Sequence, residues 1–204
     1  ASVYRKLVHK SVDMKTRAKQ DFLVNAALLA TDLDLSKAGY GVEHASASCL
    51  GATPGPSGAA NTDLIVLTGA VLTTPANASS RLSGNAATIA AAGAAAVTGN
   101  ALIWHYLEAT AHQCAGLLAT QGGLVRLAPM SCTGAADWNT LNWTLQTLIE
   151  YNTLPAASGA IADKAVVFGA SKSAACAPFN ASAGRAAVTV SMTAGNSAAN
   201  LSSS

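Results

Sequence analysis

From Gly84 to Thr120 the chain carries one charged residue, Glu108, and before Ala101 alanine recurs so densely that no polar face can be drawn. Such a stretch cannot face water along its length, so whatever the chain folds into has to bury it. Alanine is the strongest helix former, and a helix apolar on every side belongs in a core, a membrane or an assembly. Glycine and asparagine weaken helices. Thr98-Gly99-Asn100 therefore predicts a break between two helices, 85–97 and 101–119, with small faces suited to close packing.

A chain of 204 residues can bury a sizeable core in one domain. Half of its residues are hydrophobic and 11% are charged, about half the charged fraction of an ordinary soluble domain. A surface so poor in charge favours self-association over a solitary life in solution. No apolar run reaches the roughly 18–20 residues of a membrane span, because Asn, Thr and His interrupt the longest one. No membrane span is expected.

Charge is concentrated at the start. Arg5, Lys6, Lys10, Lys15, Arg17 and Lys19 stand against Asp13 alone in the first twenty residues. A basic arm on a nearly uncharged body can neutralise phosphate, so these six residues are the candidate nucleic-acid contacts. The bland alternative is a solvated helix face.

In chain order, residues 1–10 read as extended, and Ser11 caps a helix from Val12 to Ala30 with Phe22, Leu23, Ala26, Leu29 and Ala30 toward the core. Residues 45–62 form a Gly/Pro/Ser loop. Leu64–Leu72 reads as a buried strand, although periodicity does not separate it from a buried helix. Leu124–Leu127 is a short strand closed by Pro129. Ala136 to Asn152 has the clearest helical spacing, with Trp138, Leu141, Leu145, Leu148 and Ile149 on one face. Lys164–Phe168 and Arg185–Met192 are further strands, and the Ser/Ala/Asn-rich end is a tail. The expected fold is a single helix-dominated α+β domain, with buried Ala-rich helices packed on a small sheet. Its expected divisions are a basic arm and first helix over 1–44, the loop over 45–62, the core over 63–195 and the tail over 196–204.

Cys49, Cys114, Cys132 and Cys176 form no C-x-x-C pair, so zinc-ribbon and thioredoxin-like motifs are excluded by spacing. Four cysteines permit two disulfides in three connectivities. Sequons begin at Asn77, Asn142, Asn180 and Asn200, and the helix expected over 136–152 argues against a glycan at Asn142.

The residues most like a site are His105, Glu108 and His112, which project from one face of the expected helix. Two imidazoles and a carboxylate suit zinc or iron. On a straight helix, however, the two histidines stand about two turns, roughly 10 Å, apart. No metal, cofactor or catalytic residue is assigned. Gly169-Ala170-Ser171-Lys172-Ser173 lacks the last glycine of a nucleophile elbow. Trp138 fits a core stripe, whereas Trp104 and Trp143 are candidate interface anchors, since tryptophan buries much apolar area with a polar handle.

The Ala/Thr/Ser/Gly-rich, low-charge texture resembles that of subunits of virion shells, helical filaments and parasite surface coats, and no motif carries the resemblance residue by residue. Low charge, a central stretch without a solvent face and the lack of catalytic motifs together lead to one expectation. The chain is a structural subunit, a virion coat protein before others, that packs with copies of itself in a virion or extracellular assembly. Its basic arm then contacts nucleic acid inside a particle or an acidic neighbouring subunit. The alternatives are a secreted, disulfide-linked surface or binding protein and a metal-dependent enzyme using His105 or His112.

Overall fold

The computed structural model describes residues 2–39, 64–73, 79–87, 89, 95–151, 153–154, 164, 166–172, 188–194 and 197–203. These form one long helix, α1 (Ser2–Leu35), and eleven strands. The strands are β1 (Leu64–Leu72), β2 (Ser79–Ser80), β3 (Leu82–Ala87), β4 (Val97–Gly99), β5 (Ala101–Glu108), β6 (Ala111–Thr120), β7 (Gly123–Ser131), β8 (Trp143–Ile149), β9 (Val166–Lys172), β10 (Val188–Ala194) and β11 (Ser197–Ser203). A 3-10 turn, Ala135–Asn139, lies between β7 and β8. The helix-dominated expectation is overturned: the body is two antiparallel sheets, in the orders β2-β8-β7-β6-β5-β1-β3 and β11-β10-β9-β4.

The larger sheet is covered on both faces. On one, Val66, Leu102, Trp104 and Leu117 meet Phe168 and Val190 of the smaller sheet, together with Val24, Ala27 and Leu35 of α1. On the other, Leu67, Ile103, Leu118 and Leu127 pack with Trp138 and Trp143. A strand buried on both faces reads as an unbroken apolar run, and such a run does not distinguish strand from buried helix. This is why 101–119, expected as a helix, is instead the β5–β6 hairpin. Of 85–97, also expected as a helix, residues 85–87 end β3 and Val97 begins β4, while 88 and 90–94 lie outside the described residues.

The helix expected over Ala136–Asn152 is likewise absent. The 3-10 turn holds Trp138, and β8 follows with Trp143 and Ile149 buried at its ends. The expected strand at Leu64–Leu72 is found as β1. Pro129 lies inside β7 and does not close it, because the β6–β7 register shifts between Cys114 and Gly116 and a bulge tolerates a residue without an N–H. The end of the chain supplies β11, where a tail was expected, and it pairs along β10 from Val188↔Ser203 to Ala194↔Ser197.

Helix α1 includes residues 2–10, which were expected to be extended, and docks by a face other than the expected one. Val24, Ala27, Thr31 and Leu35 are buried, whereas Phe22 and Leu29 are 71% and 63% exposed. Thr31 satisfies its buried hydroxyl by donating to the Ala27 carbonyl at 2.7 Å. The helix end is fastened to the sheet through Arg126 of β7. Its Nη2 donates to Asp34 Oδ1 at 2.7 Å, and its Nε makes an ion-pair contact with Oδ2 without hydrogen-bond alignment.

The two sheets share a crossing at Gly99-Asn100, where the chain leaves β4 and enters β5. Asn100 is wholly buried. Its Oδ1 accepts from the Ala70 N–H at 2.8 Å and its Nδ2 donates to the Ala70 carbonyl at 2.7 Å. Ala70 is available because β1 bulges between Thr68 and Val71, with Gly69 at φ +61°. The side-chain amide takes the place of the neighbouring strand there.

Candidate functional site

The β5–β6 hairpin turns through Ala109-Thr110, with Glu108 opposite Ala111 and His105 opposite Cys114. Side chains alternate across a strand, so His105, His112 and Cys114 share one face and Glu108 takes the other. The seven-residue spacing that would separate the histidines on a helix brings them together across the hairpin. His105 Nε2 lies 2.9 Å from His112 Nδ1, and the rings stack at 5.0 Å between centroids. His105 is buried and His112 is exposed. A hydrogen bond between imidazoles uses one N–H and one bare nitrogen, so it forms only while at least one ring is neutral.

Beside this pair, Cys114 is bonded to Cys132, just past β7. Cys49 and Cys176, the other disulfide candidates, lie outside the described residues. The loop after Cys132 is organised by Asp137, whose carboxylate accepts from the Thr133 N–H at 2.7 Å and the Thr133 hydroxyl at 2.9 Å. The Thr133 N–H bond is the main reason that the Asp137 carboxyl is held below the usual carboxylate range, with His105 adding a smaller electrostatic share. A depressed folded value means stability that is present above the unfolded carboxylate value, about 3.9, and lost as pH falls through the folded one. Between pH 5 and 2 the melting temperature of Asp137→Asn should therefore fall less steeply than that of the parent chain. Parallel acid limbs in the two proteins would remove Asp137 from the account.

Two imidazoles, a disulfide and a hydrogen-bonded carboxylate brace the hairpin end. Among the described residues no three His, Cys, Asp or Glu side chains are grouped to hold a metal ion. Ser171 is half-buried in β9, and Ser173 lies outside the described residues. Neither tryptophan expected at an interface faces outward: Trp104 and Trp143 are both fully buried within the chain. Trp143 was expected off the core because a helix was drawn there; in β8 it points inward, and its Nε1 donates to the Trp138 carbonyl at 3.0 Å. Asn142, placed in a helix by the sequence reading, is exposed just before β8.

The basic arm is the first part of α1. Lys15 and Lys19 are exposed there, while the side chains of Arg5, Lys6, Lys10 and Arg17 lie outside the described residues. Sequence reasoning missed the most distinctive surface of this helix. Met14, Phe22, Leu29 and Leu33 are 62–71% exposed, on the side away from Val24, Ala27, Thr31 and Leu35. Apolar residues occupy two opposite sides of α1, and a reading that assigns every apolar row of a helix to its own core hides the outer one. Comparison of the chain with known protein families, curated proteins and solved structures returned no match.

Proposed function

We propose that this chain is a self-assembling structural subunit of a shell, filament or coat, a virion coat protein before others, with no catalytic role. The observation that carries the reading is the apolar row on the outer side of α1. Four large side chains there, Met14, Phe22, Leu29 and Leu33, are exposed along one side of the helix within a single copy, and large apolar groups gathered on one exposed side support an interaction site. Lys15 and Lys19, with the basic residues before them, would then meet nucleic acid or an acidic neighbour. The native mass in mild buffer, by light scattering with negative-stain imaging of the same sample, tests this. A large regular particle or filament supports it, and a clean monomer near 20.3 kDa overturns it.

The Cys114–Cys132 bond favours one second reading, a secreted surface or binding protein, because disulfides persist in oxidising compartments. The exposed Asn142 sequon fits the same reading. Intact-mass measurement for a glycan at Asn142, on a monomeric sample, separates it from the first.

A further inference from the structure

The geometry points to α1 as the element that joins two copies, through a parallel pairing of its outer face with the same face of α1 in a second copy. The proposal rests on the self-assembly reading and adds which surface meets which, and in what direction.

The outer row repeats after eleven residues: Met14, Ala18 and Phe22, then Asn25, Leu29 and Leu33, all exposed. Eleven residues are close to three helical turns, so the row runs nearly straight along the helix and can stay against a straight neighbour. The opposite face is already occupied, since Val24, Ala27, Thr31 and Leu35 pack on the chain's own sheets. Among the described residues none covers the outer row.

The borders of the row identify its occupant. At 3.6 residues per turn, Lys15 and Lys19 lie along one border and Asp21 and Asp32 along the other, and all four are exposed. A two-fold axis parallel to the helices sets the Lys border of each copy against the Asp border of its mate, with Lys19 beside Asp21. An antiparallel pair sets like borders together. Charged border positions choose partner and direction in paired helices. A helix lying on an anionic lipid surface has no use for the acidic border, which favours a second copy over a membrane.

The test uses the full chain with Met14→Cys, or separately Leu33→Cys, in a Cys49→Ser, Cys176→Ser background under mild oxidation. Parallel pairing gives covalent dimers from each variant alone. Dimers only from a mixture of the two would mean antiparallel pairing and overturn the proposal. Assembly without cross-links would overturn it while leaving self-assembly standing, and a monomer throughout would remove both. A charge exchange supplies a check that does not depend on the cysteine background. Lys19→Glu should raise the concentration for half-assembly several-fold, and Lys19→Glu with Asp21→Lys should restore it. Phe22→Ser should raise that concentration about tenfold or more with circular dichroism unchanged. An unmoved midpoint in these variants, or capture by phosphatidylserine vesicles that Phe22→Ser abolishes, would rule the pairing out.

Discussion

Asn100→Ala should lower the unfolding free energy by about 3–5 kcal/mol, read as a shift of the urea midpoint at constant slope. Three backbone groups depend on this side chain: the Ala70 N–H, the Ala70 carbonyl and, at 3.4 Å, the Ala119 carbonyl. Each group left buried without a partner costs about 1–3 kcal/mol, and the first two bonds are short. Asn100→Asp is the sharper control. It keeps an acceptor for the Ala70 N–H, loses the donor to the Ala70 carbonyl and brings a charge into the core. It should be no better than alanine. A loss below about 1 kcal/mol for Asn100→Ala would mean that water enters the bulge and satisfies Ala70.

The residue before it is constrained for a different reason. A Cβ on Gly99 would lie 2.3 Å from the Leu67 carbonyl oxygen and 2.5 Å from Val66 Cγ1. β1 backbone would have to move away to admit it, so the two sheets can cross this closely only where residue 99 has no side chain. Close packing and polar satisfaction thus meet at one dipeptide.

That dipeptide shows how the sequence could be read and where it misled. Thr98-Gly99-Asn100 was visible as a discontinuity, and a discontinuity exists there. Its nature was hidden, because Gly and Asn weaken helices and also mark places where another backbone comes close. The same ambiguity governed β5. ALIWHYLE is apolar on both sides of the strand because both faces are covered, which erases the period-two signal. In the 136–152 stretch the error was of the opposite kind. Trp138, Leu141, Leu145, Leu148 and Ile149 mimic helical spacing, yet Trp138 lies in a 3-10 turn, Leu145, Leu148 and Ile149 lie in a strand, and Leu141 sits in the link between them. β1 and the low charge of the body were legible; the outward face of α1 was not, because amphipathic reading assigns every apolar row of a helix to its own core. The histidine pair was legible as residues and not as a pair, since its contact depends on the hairpin.

Replacing both Cys114 and Cys132 by alanine should lower stability by about 3 kcal/mol. The two cysteines are 18 residues apart, and closing a loop of roughly that length removes about this much conformational freedom from the unfolded chain. The loss should also be local in a way that loop entropy alone does not require. The bond crosses β6 and β7 where their register shifts, between Cys114↔Met130 and Gly116↔Leu127, and Pro129 in that stretch has no N–H to give the ladder. Beyond Leu127 the ladder resumes for only two pairs, Cys114↔Met130 and Gln113↔Ser131, and the disulfide and the Cys132 N–H to His112 carbonyl bond at 3.3 Å reinforce that short end. Amide exchange should accelerate at 111–114 and 130–133 in the alanine pair. It should change little at 117–119 and 124–127, where the ladder is continuous. Faster exchange spread evenly over β6 and β7 would show that the bond acts only through the unfolded chain. No acceleration anywhere would show that the packing of Ala135 and Trp138 against the sheet is enough to hold the histidine pair in place.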